Sequence, residues 1–360
     1  MTPRGPGTRE EAFSTSGQSG EPIVWFRTEE QLRVEADLLA RTLIGQVDRV
    51  VSYAPTTHLY GRLLGDVLPT SLRVPVQHVW DSPTTVPDLA SGDRVLLVCL
   101  PSTWLMLRSL AERAANLATV TAVHSTGPTT PAMHQLLSRV EGSGFRAVEI
   151  LGSTETGGVA HRTLLPRPQG RPLWTLFDDV DLVADPEAGP DAGSPADPTG
   201  AAERPLCVRS PRIARRADME RPPDRITLDD LVRPVGERRF ELLGRATRMI
   251  KINGRRVRLE DVESAVRERF PHVDLVCVPR QDEVRAEHYE LFYAAEAGTV
   301  TVQDIHALVA AAFPGVPVPR RVQRVGTIPR SATGKVRVDR LLAAAHGRSG
   351  SGAEAVGHVS

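Results

Sequence analysis

Between residues 29 and 151 the chain alternates two periodicities, and this alternation narrows the fold more than any other feature. Glu29 to Leu43 has helical spacing, with Leu32, Ala36, Leu39 and Leu43 on one face. Val50 to Tyr53 reads as a strand and His58 to Leu68 as a helix. Val95 to Leu100 is a continuous apolar run, which predicts a strand buried on both faces. Ser102 to Leu117 reads as a helix, Val120 to Val123 as a strand, Pro131 to Val140 as a helix and Ala147 to Leu151 as a strand. Strands taking turns with helices predict an α/β body: a mostly parallel sheet with helices on both faces.

Residues 185–204 change character, being rich in Pro, Gly, Ala and Asp, and read as a solvated loop. Leu206 to Val208 then recovers strand character. A smaller α+β unit follows Gly244. Met249 to Ile252 and Arg256 to Leu259 flank Asn253-Gly254, the pattern of a β-hairpin. Glu260 to Phe270 reads as a helix with acids in its first turn, which suits the helix dipole. Leu275 to Val278 and Leu291 to Ala294 read as strands. Thr301 to Asp304 resembles a capping box opening a helix that runs to Phe313. Val322 to Val325 precedes a loop ending in Gly334-Lys335. The expected organisation is a disordered start over 1–12, a body over 13–244, a small C-terminal unit over 245–345 and a disordered tail over 346–360.

Charge and composition exclude several classes. Lys plus Arg equals Asp plus Glu at 44 each, so no net field favours nucleic acid or an anionic membrane. Aromatic residues are only 4%, which argues against base-stacking platforms. No apolar run is long enough to span a bilayer, and residues 1–11 lack the apolar core of a signal peptide. Cys99, Cys207 and Cys277 each sit in apolar, strand-like runs without zinc spacing. They read as buried thiols of a cytoplasmic protein.

Four segments carry chemistry. Thr15-Ser16-Gly17-Gln18-Ser19-Gly20-Glu21-Pro22 offers backbone N–H groups and hydroxyls of the kind that cradle phosphate; taken alone it also fits a Ser/Gly linker. Gly152-Ser153-Thr154-Glu155-Thr156-Gly157-Gly158 follows the strand Ala147–Leu151, and the carboxyl end of a parallel strand is where such sheets bind ligands. Leu243 to Val257 includes Gly244-Arg245 and Lys251, and Ile328 to Lys335 presents one lysine on a Ser/Thr/Gly loop.

In this order the four segments resemble those of the adenylate-forming superfamily: acyl- and aryl-CoA synthetases, peptide-synthetase adenylation domains and luciferases. The resemblance covers roughly residues 13–345. It implies ATP- and Mg²⁺-dependent adenylation of a carboxylic acid, then transfer to the phosphopantetheine thiol of CoA or of an acyl or peptidyl carrier protein. Thr15, Ser16, Gly17, Ser19 and Gly20 match the loop that holds the β- and γ-phosphates, although Gln18 departs and Ile23 stands where that loop has lysine. His58, within Pro55 to Gly61, matches a residue near the bound carboxylate. Gly127, within His124 to Pro128, matches a turn that touches adenine and the acyl pocket. Gly152, Ser153 and Thr154 match the α-phosphate turn, and Glu155 the Mg²⁺ ligand. Leu151 replaces a common adenine-stacking aromatic. Asp230 and Arg245 match the ribose contacts, Thr247 the hinge, Lys251 the lid hairpin and Lys335 the catalytic lysine, so residues 245–345 are expected to form a mobile lid.

Few residues precede the phosphate loop, whereas relatives carry an N-terminal subdomain there. A partner protein or a homodimer is the expected cover for the face so exposed. Two other readings stay open. Ile23, Leu151 and Thr247 suit a degenerate, non-catalytic binding or scaffolding member, and an amine or other nucleophile could replace the thiol as acceptor.

Overall fold

The computed structural model describes residues 9–15, 23–82, 85, 87, 89–108, 119–127, 129–167, 171–185, 203–252, 255–282, 286–314, 318–331 and 336–347. The chain forms two compact units, Met1–Leu243 and Gly244–Ser360.

The first unit opens with an antiparallel pair, β1 (Glu10–Thr15) and β2 (Ile23–Thr28), so ordered structure begins inside the stretch expected to be disordered. Thr28 then caps α1 (Glu29–Leu39). Its hydroxyl accepts from the Gln31 N–H and the Gln31 side chain accepts from the Thr28 N–H, both at 3.0 Å. This reciprocal pairing satisfies two donors that a helix start leaves over. A π-helical turn, Ala40–Ile44, extends α1 to the length its sequence pattern predicts. β3 (Arg49–Ser52), α2 (Leu59–Arg62) with a π-helical turn at Leu63–Val67, α3 (Leu68–Leu72), β4 (Val76–His78) and β5 (Arg94–Cys99) follow. Next come α4 (Thr103–Leu107), β6 (Thr119–His124), α5 (Pro131–Arg139) and β7 (Phe145–Ser153). Of the helix expected over Ser102 to Leu117, residues 109–117 lie outside those described.

β4, β3, β5, β6 and β7 are neighbours in that order and run parallel. Both faces of β5 are buried. Leu96 and Val98 enter a core with Ala36 and Leu39 of α1 and Leu68 of α3. Val95, Leu97 and Cys99 enter a second core with Trp104 of α4 and Met133 and Leu136 of α5. Each such aliphatic side chain contributes roughly 1.5–3 kcal/mol on burial. A one-residue slip would exchange the two sets, so burial on both faces also fixes the register.

The strands expected to be parallel are so, and an antiparallel half extends the same sheet. β8 (Gly157–Thr163) folds back antiparallel on β7, and β9 (Leu173–Leu176) pairs antiparallel with β8. β10 (Asp181–Val183), β11 (Arg204–Arg209), β13 (Ile226–Pro234) and β14 (Arg239–Arg245) complete eleven strands in the order β10-β11-β13-β14-β9-β8-β7-β6-β5-β3-β4. A short β12 (Arg215–Arg216) joins β2 instead, making a separate three-stranded sheet with β1.

The second unit contains the hairpin β15 (Met249–Ile252) and β16 (Arg255–Arg258), then α6 (Leu259–Arg269). The Asn253-Gly254 turn lies outside the described residues. β17 (Asp274–Asp282) pairs antiparallel with β18 (Ala286–Ala294), and β18 pairs parallel with β19 (Arg321–Arg324). α7 (Val302–Ala312) carries the Thr301–Asp304 capping box expected from sequence, and α8 (Val338–Gly347) closes the unit. Its core joins Val262 and Val266 of α6 to Leu275, Leu291, Ile305 and Val309. Among the described residues no helix is long and apolar enough to cross a membrane.

Candidate functional site

Because β3, β6 and β7 run parallel, the turns that follow them share one edge of the sheet, the carboxyl edge where open α/β sheets take ligands. Three of the segments singled out in the sequence fall on it.

After β3, the chain turns through Pro55 into α2, with exposed His58 at the helix start. The glycine of this segment has a steric reason. A Cβ on Gly61 would lie 2.1 Å from the Pro55 carbonyl oxygen, so only glycine lets the helix pack against the turn that launches it. The neighbouring Tyr60 hydroxyl lies 2.8 Å from the Val123 carbonyl oxygen and 3.2 Å from that of Cys99, spanning the ends of β6 and β5.

After β6, His124 is completely buried. The Trp104 indole N–H donates to His124 Nδ1 at 3.0 Å, which leaves Nε2 to donate to the Gly127 carbonyl, also at 3.0 Å. This pins the neutral tautomer and the position of Gly127. Ser125 Oγ donates to the Ile150 carbonyl at 2.9 Å, tying the turn to β7. Thr126 sits at φ 75°, a left-handed conformation that a β-branched residue rarely adopts.

After β7, Gly152 to Gly158 form a tight hairpin into β8. A Cβ on Gly152 would lie 2.2 Å from the Gly157 carbonyl oxygen. Ser153 Oγ lies 3.0 Å from Thr156 Oγ1, which donates to the Gly157 carbonyl at 2.9 Å. Thr154 and Glu155 therefore ride at the tip of a hydrogen-bonded turn, half-buried. Among the described residues no group of three or more His, Cys, Asp or Glu could hold a metal ion. A single carboxylate such as that of Glu155 nonetheless suffices for Mg²⁺ when phosphate oxygens and water complete its shell.

Of the phosphate-loop residues, Thr15 ends β1, its hydroxyl donating to the Ile23 carbonyl at 3.3 Å. Ser16, Gly17, Ser19 and Gly20 lie outside the described residues. The loop connects two paired strands, Thr15 opposite Ile23. Ile23, at the position expected to bear a lysine, is 44% exposed.

Asp230 lies inside β13. The β11–β13 register is irregular here: Pro205 faces Leu231 while Cys207 faces Thr227, so Asp229 and Asp230 fall in a bulged stretch. A bulge re-aims side chains out of the regular alternation.

The remaining candidates belong to the second unit. Arg245 ends β14, and Ala246–Arg248 form one 3₁₀ turn containing Thr247. Burial and Arg248 are the main influences on Glu260; burial dominates and raises its carboxyl above the usual range. Arg248 also pairs with Glu263, which is buried and accepts from the Cys277 N–H at 2.7 Å. Lys251 lies on β15. Lys335 lies outside the described residues; the chain on either side of its loop is drawn together by pairing between Arg330 and Val336 and by the Arg337 N–H donating to the Pro329 carbonyl at 2.8 Å.

The sequence reading missed a buried charge cluster behind the Gly152–Gly158 turn: Arg27 of β2, Glu35 of α1, Asp179 after β9 and Arg212 before β12. A signal for it was present. Glu35 stands three residues after Leu32 and four before Leu39, on the apolar face of α1, and Arg27 ends the apolar run Ile23 to Phe26.

The large mixed α/β sheet, followed in the chain by a separate α+β unit, matches the adenylate-forming fold. The anthranilate CoA ligase AuaEII, solved with anthranoyl-AMP, superposes with a TM-score of 0.70 over 93% of this chain and 67% of its own, at 17% identity. In sequence, the chain is 32% identical over 151 residues to the 4-coumarate–CoA ligase of Halorhodospira halophila, covering 42% of this chain and 37% of that enzyme. It is 35% identical over 131 residues to the N-(5-amino-5-carboxypentanoyl)-L-cysteinyl-D-valine synthase of Amycolatopsis lactamdurans, covering 36% of this chain and 4% of that protein. No family model matches. Its relatives and structural neighbours are thus AMP-forming adenylation and CoA ligase family members, whose fold it shares. The chain spans well under two thirds of the curated relatives it matches.

Proposed function

We propose that this chain binds ATP with Mg²⁺ and adenylates a carboxylic acid, releasing pyrophosphate, and that the acyl group then passes to a phosphopantetheine thiol on CoA or a carrier protein. The observation that carries this reading is the Gly152–Gly158 hairpin. It presents the Thr154 hydroxyl and the Glu155 carboxylate on the carboxyl edge of the sheet, the same edge as the His58 and Gly127 turns. A turn of hydroxyls beside a carboxylate suits a phosphate bridged to a hard cation. Ser153 and Thr154 would hold the α-phosphate, Glu155 the metal, the His58 and Gly127 turns the acyl and adenine groups, and Asp230 and Arg245 the ribose. Lys335 would stabilise the negative charge that builds as the carboxylate attacks the α-phosphorus. Residues 245–345 would act as a lid, bringing Lys335 in for adenylation and the Lys251 hairpin in for thiol transfer.

The test is pyrophosphate release across a panel of aryl, alkyl and amino acids, with and without CoA or a phosphopantetheinylated carrier. Acid-dependent pyrophosphate release supports adenylation, and thioester formation names the acceptor. Acid-dependent release with neither thiol consumed points to an amine or other nucleophile as acceptor. Absence of release with every acid, while a carrier protein still binds, would favour the scaffolding reading.

A further inference from the structure

Behind the Thr154–Glu155 turn lies a group of charges that the reaction as proposed does not use. Arg27, Glu35 and Arg212 are each at most 1% exposed, and they come from a strand, a helix and the segment between β11 and β12. Arg27 Nη1 donates to Glu35 Oε2 at 3.1 Å. Arg212 ion-pairs with Glu35 Oε1 at 3.2 Å and forms a two-pronged pair with Asp179 at 2.7 and 2.8 Å. Burying so many charges is seldom the most stable way to fill a core, so their presence calls for a role in geometry.

That geometry is directed at one turn. Arg27 Nε donates to the Thr154 carbonyl at 3.3 Å. Glu35 Oε1 accepts from the Gly158 N–H, and Arg212 Nη2 donates to the Gly158 carbonyl, both at 2.7 Å. Two residues beyond Arg212, the Ala214 N–H donates to the Glu155 carbonyl at 2.8 Å. Gly157 itself lies against the Glu35 carboxylate with no room for a methyl group. The Arg27 guanidinium also feels the Glu155 carboxylate through space. Arg27 Nη2 is buried with no hydrogen-bond partner among the described residues, so the cluster is not saturated by its own members.

We infer that Glu35, clamped between Arg27 and Arg212, is a positioning residue that fixes the Thr154–Glu155 backbone where nucleotide phosphate and metal are to be received. This inference rests on the adenylation reading for its ligand. Its structural content, that the charge on Glu35 holds the turn, stands without it.

Glu35→Gln tests the idea because the amide keeps an acceptor for the Gly158 N–H while removing the charge. Hydrogen exchange of the peptide over residues 152–158, measured without any substrate, should accelerate at least tenfold, with exchange of β5 and β6 unchanged. In steady-state pyrophosphate release, the KM for ATP·Mg²⁺ should rise about tenfold or more while the KM for the acid stays within twofold. Asp179→Asn perturbs the cluster from its partly exposed end and should give the same pattern at about threefold; it decides the matter if Glu35→Gln does not fold. Unchanged exchange at 152–158, or equal rises in both KM values, overturns the inference. If the wild-type protein releases no pyrophosphate with any acid, the adenylation reading fails, and the exchange measurement alone decides whether Glu35 holds the turn.

Discussion

Replacing Gly157 with alanine should damage the body far more than its single methyl suggests. Gly157 has φ 70°, and its Cβ would stand 2.4 and 2.6 Å from the two carboxylate oxygens of Glu35. The left-handed conformation alone costs an L-residue roughly 1–2 kcal/mol. The steric conflict adds more, because the carboxylate must retreat by about 1 Å to reach ordinary contact distance. Glu35 holds its partners at 2.7, 3.1 and 3.2 Å, and such a retreat takes at least one of them out of hydrogen-bond range. A buried polar group left unpaired costs about 1–3 kcal/mol. The expected loss is therefore about 2–5 kcal/mol. Gly236→Ala is the internal control: its φ is 73°, but nothing lies within 4 Å of the added methyl, so it should lose only the conformational part, about 1–2 kcal/mol. All four tryptophans, Trp25, Trp80, Trp104 and Trp174, lie in the first unit, so fluorescence during urea unfolding reports that unit alone. Equal losses for the two variants would refute the reasoning.

Three further outcomes are expected. Lys335→Ala should lower pyrophosphate release by roughly 10²-fold with the urea midpoint of the first unit unchanged, since its proposed role is charge stabilisation in the transition state; activity within twofold of wild type would remove it from the chemistry. Glu155→Gln should raise the Mg²⁺ concentration needed for half-maximal rate more than it changes the KM for the acid, and an unaltered Mg²⁺ titration would take Glu155 out of the metal's shell. His134 and His161 have pKa values below the ordinary 6.5, chiefly because burial disfavours the charged ring. The unfolded chain then binds more protons than the folded one as pH falls through 6.5, so their contribution is complete above that pH and is lost below it. Fluorescence-monitored stability between pH 7.5 and 5 should fall less steeply in the His134→Gln, His161→Gln double variant, and parallel curves would exclude the two rings as a cause.

The parallel half of the sheet could be read from sequence because its strands are buried on both faces and separated by helices, so two periods stand out. Val95 to Cys99 shows this best: every residue is at most 1% exposed, and every one is apolar. Apart from Leu206 to Val208, the antiparallel half escaped because its strands are covered less completely and carry mixed residues. β13 reads Ile-Thr-Leu-Asp-Asp-Leu-Val-Arg-Pro, and Asp229 and Asp230, at a bulge, interrupt the alternation that would mark it as a strand. The turn motifs were visible because close approach demands particular residues there, as at Gly61 and Gly152. The Arg27–Glu35–Arg212 cluster has no such local grammar. Its members are up to 185 positions apart in sequence, and only the fold brings them together.

The three cysteines give this protein a built-in clock. Cys99, Cys207 and Cys277 are unpaired and buried, and burial pushes the Cys99 and Cys277 thiols up, away from the reactive thiolate. An alkylating reagent can therefore reach them only when the surrounding structure opens. Two of them belong to the first unit and one to the second. A timed pulse of reagent, read by mass and peptide mapping, would thus record which half of the chain breathes first, and would need no engineered label to do so.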